Sequence, residues 1–168
     1  LTGADLINAN LTNANLTSAN LTSANLNGAD LNESNLTNST LDGAELGGAD
    51  LGGADLTNAT LTNADLTNAN LFFATLTNAA LDGANLSGAN LTEATLDGAT
   101  LHNATLTGVT SGNIVGTPLN LPSDYRIVNN YIIGPGVNLD GVDLYNADLT
   151  GANLSNSTLI DATLTLAT

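Results

Sequence analysis

Carboxylates are the groups with which this sequence could do chemistry: 16 Asp and Glu stand against one strong base, Arg126, and one histidine, His102. Several acids are twenty residues apart, Glu45 with Asp65 and Asp30 with Asp50. If twenty residues close one turn of a coiled chain, such pairs lie one above the other and could share a calcium ion through oxygen ligands. Sorted this way, however, the acids scatter over three faces: Asp5, Glu45 and Asp65 in one column, Asp30 and Asp50 in the next, Asp55 in a third. Solvated turn carboxylates, with no metal site, are therefore the expectation. Gly47-Gly48-Ala49-Asp50 and Gly52-Gly53-Ala54-Asp55 approach a calcium-binding Gly-Gly-x-Gly-x-Asp repeat, but their spacing is five and the third glycine is missing. His102 falls in the column of Asp42 and Asp82, with Asp82 its neighbour one coil away. One imidazole beside one carboxylate on a convex face lacks a nucleophile, a cleft and a second ligand. No catalytic residue and no cofactor are assigned, and the chain reads as a non-enzyme.

The elements that would position these groups are set by an internal repeat. Leu recurs at every fifth position from Leu1 through Leu106, 22 times without exception. Two residues before each of these leucines, from Ala4 to Ala104, Ala stands 19 times in 21, with Ser34 and Ser39 as the substitutes. A period of five fits neither the helical period of about 3.6 nor the strand period of about 2, and is far below that of a leucine-rich repeat. If each pentad forms one side of a square coil, Ala and Leu point inward and the three polar residues outward, and four pentads complete a turn.

Packing then explains the Ala. Four Leu side chains nearly fill the cross-section of such a coil, so each leaves room for little more than a methyl group beside it. Leu6, Leu11, Leu16 and Leu21, with Ala9, Ala14, Ala19 and Ala24, are the expected start of this core. Ser fits the same volume, and its hydroxyl is expected to bond a nearby carbonyl. Coils stacked about 4.8 Å apart would make roughly seven turns and a rod of about 30 Å. Asn, Thr and Gly outside suit tight corners.

The repeat resembles the pentapeptide-repeat family, whose A(D/N)LXX consensus is met by Ala49-Asp50-Leu51-Gly52-Gly53 and Ala64-Asp65-Leu66-Thr67-Asn68. The resemblance implies an all-β fold, a right-handed quadrilateral β-helix. It spans a first block, residues 1–108, and a second, 137–168, where the pattern returns at Val137-Asn138-Leu139 and continues through Leu144, Leu149, Leu154, Leu159 and Leu164.

Residues 109–136 break the pattern, and the break is not a multiple of five, so it must loop out or reset the register. Within it Tyr125-Arg126-Ile127-Val128 and Tyr131-Ile132-Ile133 flank Asn129-Asn130, the signature of a β-hairpin with a two-residue turn. Pro118, Pro122 and Gly134-Pro135-Gly136 punctuate it. The segment resembles sequences that accompany Leu-type pentads in exported cyanobacterial proteins, which implies a periplasmic or thylakoid-lumen setting. Tyr125, Arg126 and Tyr131 form a candidate interaction surface; the competing expectation is a hairpin packed on the solenoid flank. Phe72 and Phe73, at consecutive outward positions in an otherwise polar wall, are expected either to dock a partner or to be covered by the looped segment.

Charge bounds the partners. With a net charge of −15 and one Arg, the chain cannot neutralise phosphates or an anionic leaflet, so nucleic acid and membrane surfaces are excluded. No run approaches about 18 apolar residues, so no membrane-spanning helix is expected. The absence of Cys leaves the redox compartment open. The sequence lacks Met and opens on Leu1, the expectation for a processed or trimmed product. Repeats reach both ends, so the end coils are expected to stack, to be covered or to continue into more chain. A structural or protein-binding module follows, with an end-to-end or aromatic-face homodimer among its expected assemblies. Two alternatives are a DNA-mimicking topoisomerase inhibitor, implied by the quinolone-resistance branch of the family, and an adhesion or surface-display protein. Uniform Leu centres and a scattered charge distribution argue against the first. Thr-x-Thr pairs at 60–62, 75–77 and 105–107 fall on different faces, which argues against ice binding.

Overall fold

The computed structural model describes residues 1–168, and contains no helix. Its unit is a tight turn. In each pentad the N–H three residues after Leu donates back to the Leu carbonyl, as from Ala64 to Leu61 and from Ala69 to Leu66, both at 3.0 Å. The residue just before that Ala has positive φ, 57° at Asn63 and Asn68 and 63° at Gly48. This is the pattern of a type II turn, and it selects the Asn and Gly that crowd this column, because both enter the left-handed region at little cost.

Turns stack through parallel bridges twenty residues apart, from Asp5↔Asn25 to Thr100↔Asn120, so four turns make one coil. Each Leu N–H donates to the next coil, Leu66 to the Asn85 carbonyl at 2.7 Å, and the residue before Leu donates to the previous one, Asp65 to Ala44 at 2.9 Å. One N–H per pentad, that of the residue after Leu, is outside this ladder. In most pentads a side chain fills it, in one of two ways. Where Asn or Asp precedes Leu, its Oδ1 accepts: Asp30 from Asn32 at 3.1 Å, Asp50 from Gly52 and Asp65 from Thr67 at 3.0 Å. At Glu45, Thr60, Thr100, Val115 and Thr158 the acceptor comes from one coil earlier, Asn27 for Gly47, Asp42 for Thr62, Asp82 for His102, Asp97 for Thr117 and Asp140 for Ile160, at 2.7–3.2 Å, whereas after Thr40, Thr75, Ala80, Thr95 and Thr105 the N–H has no side-chain acceptor. The (D/N) of the repeat is thus a backbone acceptor.

A prediction follows at Asp82, which also accepts from Thr100 Oγ1 at 2.7 Å. Asp82→Ala should lower unfolding free energy by about 1 kcal/mol, the net worth of such bonds, and Asp82→Asn by less than half of that, because the amide oxygen restores the acceptor. Urea unfolding of both variants checks this; equal losses would show that the charge matters, not the acceptor.

The core is one column of Leu and Ala, fully enclosed from Leu21 through Leu106. Among the residues expected to begin it, Leu21 and Ala24 are buried, whereas Leu6, Leu11, Leu16, Ala9, Ala14 and Ala19 are half-buried because no coil lies beneath the first. The expectation for the serine hydroxyls is also corrected. Ser34 and Ser39 are 1% exposed, as Ala would be, yet neither Oγ has a hydrogen-bond partner. Their backbones keep the same turn as Ala, and the surrounding carbonyls are already taken by the ladder; that of Ser34, for example, accepts from Asp55 N–H.

The ladder runs on past the last regular Leu, through Thr95↔Val115 and Thr100↔Asn120, with Ile114 buried in the inward place that Ala holds elsewhere. The chain then leaves the coil and forms β1, Arg126–Val128, and β2, Tyr131–Ile133, paired antiparallel across Asn129-Asn130. Positive φ at both turn residues, 48° and 63°, makes the two-residue turn whose twist suits a hairpin. The hairpin is not a solvent loop: Ile132 and Ile133 are fully buried, and Ile132 N–H donates to Ser111 Oγ at 2.9 Å. The ladder resumes at Thr110↔Asn138, a step eight residues longer than the regular one, followed by Asn138↔Thr158 and Asp143↔Thr163. One coil is therefore enlarged, and Ile114, Ile132, Ile133 and Val137 are buried in its core.

Candidate functional site

The acids are mostly committed to the backbone. Asp5, Asp30, Asp50, Asp55, Asp65, Asp143 and Asp148 accept within their own pentads, and Asp42, Asp82, Asp97 and Asp140 accept from the next coil. Asp30 and Asp50, like Glu45 and Asp65, do bridge adjacent coils, but no group of three or more potential metal ligands forms. His102 meets Asp82 through its backbone N–H.

Two carboxylates show what these bonds do. At Asp55 burial raises the pKa, but side-chain and backbone hydrogen bonds from Thr57 and a further one from Thr37 outweigh it and hold the group below 3.8. Hydrogen bonds from the Thr150 hydroxyl and backbone hold Asp148 below 3.8 as well. A pKa depressed on folding contributes stability above the unfolded value, lost as pH falls through the folded one. The stability advantage of Asp55 over Asp55→Asn, measured by urea unfolding, should therefore be constant from pH 7 to about 5 and shrink below 3.8. A constant difference down to pH 2 would show that the ionised form is not favoured by folding.

The hairpin residues face their own solenoid. The Tyr125 ring lies against Gly134, leaving no room there for a Cβ, and its hydroxyl donates to the Pro135 carbonyl at 2.7 Å. Burial, and then the Asp124 charge, raise its pKa above 10.0. Arg126 donates through one Nη to the carbonyls of Thr150 and Asp148, at 3.0 and 3.5 Å. Tyr131 packs edgewise on Gly112. Asn129 and Ser157 add bonds between hairpin region and second block, to the carbonyls of Tyr145 and Gly134. Arg126 therefore ties the hairpin to the second block, whereas Tyr125 and Tyr131 pack within the enlarged coil, and all three stay half-buried.

Phe72 and Phe73 are the reverse case. The looped segment does not cover them: they remain 43% and 62% exposed, their ring centroids 6.3 Å apart and tilted by 38°. Beneath them lie Gly52 and Gly53, and with Asn32, Glu33 and Asn70 these residues line a shallow open notch of about 220 Å³. The signal for its floor in the sequence is two glycines one coil below two phenylalanines.

The sequence matches the family described as Pentapeptide repeats, in 8 copies, over residues 1–38, 34–71, 69–108 and 136–168. The chain belongs to the pentapeptide-repeat family. No curated protein sequence matches it. Among solved structures, a pentapeptide-repeat protein of the cyanobacterium Cyanothece 51142 is 33% identical, over 68% of this chain and 89% of that one, with a TM-score of 0.56. A pentapeptide-repeat protein of the Arabidopsis thaliana thylakoid lumen is 32% identical, over 54% of this chain and 63% of its own, with a TM-score of 0.52. QnrB1, a plasmid-mediated fluoroquinolone resistance protein, is 18% identical over 93% of this chain and 70% of its own, with a TM-score of 0.50, a likeness of fold alone. Membership gives this pentapeptide-repeat chain the handedness that its period could not: the coil is a right-handed β-helix.

Proposed function

We propose that this pentapeptide-repeat chain is a rigid, non-catalytic scaffolding and protein-interaction module that works through its outer faces, in a lumenal or periplasmic setting. The observation that carries this reading is the internal commitment of its polar groups. Eleven carboxylates serve the backbone ladder, the aromatic and basic residues of the hairpin serve the enlarged coil, and 41 buried residues form one continuous core. What is left to meet another molecule is a set of polar outer faces, exposed apolar residues such as Leu119, Ile160 and Leu166, and one notch. The relative from a thylakoid lumen, 32% identical, supports the compartment. The resistance role of QnrB1 is not carried over, because here the acids are spread as turn acceptors over several faces.

Because the chain has no Cys, Ile7→Cys and Ile160→Cys at two exposed places near opposite ends give unique labelling sites. Single-molecule energy transfer between them should report one narrow distance, unchanged between low and high salt. A broad or salt-dependent distribution would sink the rigid-scaffold reading.

A further inference from the structure

We propose that the notch over Gly52 and Gly53 receives the guanidinium of an arginine presented by a basic protein partner, an inference that rests on the interaction-module reading and names its site. Phe73 is costly where it stands. A bulky residue at φ 59° carries strain of roughly 1 kcal/mol or more, and with 62% exposure its ring gains little burial in return. In the same column Asn13 and Asn113 are the residues the turn prefers, and Gly53 itself avoids the strain.

The floor carries no side chain of its own, and the Asn32 amide takes the place a Cβ would hold at Gly52. Gly52 does not have positive φ, so the turn makes no demand for glycine there. A Cβ in its place would come within 2.7 Å of Asn32 Nδ2 and 3.1 Å of Asp50 Oδ1. The Glu33 side chain runs up to Gly53, its Cγ 3.6 Å from where a Cβ would stand. Asp50 is engaged by Gly52 N–H and Asn70 Nδ2, whereas Glu33 sits exposed with a carboxylate that takes no bond from the protein. Two open ring faces and one unpaired carboxylate therefore meet in one concavity.

Charge selects the occupant. At a net charge of −15, the field of the chain repels anions and a second copy of itself. A neutral apolar group would cover the rings and leave Glu33 desolvated and unpaired. A guanidinium satisfies both, since its plane stacks on aromatic faces while its edge bonds a carboxylate. A lysine ammonium can reach the carboxylate but cannot stack as a plane.

The test is an NMR titration of the isotope-labelled full chain with a capped tetra-arginine peptide, a neutral tetra-citrulline peptide and tetra-lysine, at low salt. Shifts caused by tetra-arginine should centre on Gly52, Gly53, Phe72 and Phe73, with tetra-citrulline inert and tetra-lysine weaker. Phe73→Asn and Glu33→Gln should each weaken tetra-arginine about fivefold, the size of one lost cation–π or charge-assisted contact. Phe73→Asn installs the residue the turn prefers, so its melting point should hold or rise and misfolding cannot mimic the result. Unchanged affinity in both variants, tetra-lysine binding as tightly as tetra-arginine, or shifts spread over acids away from the notch would each overturn the assignment. Those outcomes leave the module reading standing, which fails separately if the labelled ends move.

Discussion

Leu66→Ala is expected to lower the unfolding free energy by about 3 kcal/mol and Leu11→Ala by about 1 kcal/mol, although the two residues are the same letter of the same repeat. Leu66 is fully enclosed, with Leu46 and Leu86 one coil away on either side, themselves fully enclosed. Its removal leaves a cavity between two rigid ladders, each fixed by bonds such as Leu66 N–H to Asn85 and Leu46 N–H to Asp65. Backbone held in this way cannot move in to fill the void, which places the loss in the upper part of the usual range for such truncations. Leu11 is in the first coil and only half-buried, so its truncation exposes no closed cavity and surrenders mainly transfer free energy. A second consequence comes from the one-dimensional architecture: each coil touches only its neighbours, so stability is a sum of coil and interface contributions. A weakened middle coil should therefore reduce the cooperativity of unfolding as well as its midpoint, while a weakened first coil should only fray. Urea unfolding followed by circular dichroism, with hydrogen exchange at the ladder amides, reads both. Equal losses at the two positions would mean that the half-buried state of the first coil does not describe the chain in solution.

Much of this was legible because the repeat is so regular. A Leu every five residues, an Ala two before it and alternation between them require an inward pair and an outward triplet, and spacing by twenty correctly stacks Glu45 on Asp65 and Asp30 on Asp50. The purpose of the residue before Leu was harder to read. Periodicity shows that Asn or Asp recurs there, but only the ladder shows that the next N–H but one would otherwise have no acceptor. The same knowledge gives much of the negative charge a structural origin, Asp used where Asn would serve. The interruption was partly legible: Asn129-Asn130 placed the hairpin turn, but nothing local told that Ile132 and Ile133 would enter the core, since burial there depends on the coil being enlarged rather than replaced. Tyr125, Arg126 and Tyr131 stand out because aromatic and basic residues are rare in this chain, but only the structure shows their contacts with Pro135, Thr150 and Gly112. Phe72 and Phe73, equally rare, have no such internal use.

The serines in the Ala column supply the other large expected effect, with the opposite sign. Ser34→Ala and Ser39→Ala should each stabilise the chain by about 1 kcal/mol, and the double variant by about 2 kcal/mol, since a buried hydroxyl without a partner costs roughly 1 to 3 kcal/mol. The usual penalty of such a change, a cavity, is absent. Ala14, Ala54 and Ala74 share the column of Ser34, and Ala19, Ala59 and Ala79 that of Ser39, so the methyl already fits. Turn geometry is also indifferent: Ser34 N–H bonds the Leu31 carbonyl at 3.0 Å, just as Ala64 bonds Leu61. What remains is the desolvated Oγ, enclosed by Leu and Ala, with backbone carbonyls nearby that already serve the next coil. The two serines lie at adjacent turns of one coil, so comparing the single variants with the double also tests whether the hydroxyls help one another: strict additivity means that each is alone, whereas a single change that destabilises while the double does not would mean that they share a bond. Destabilisation by both single variants, and more by the double, would show instead that the hydroxyls hold carbonyl partners in solution and that the first expectation for them was right.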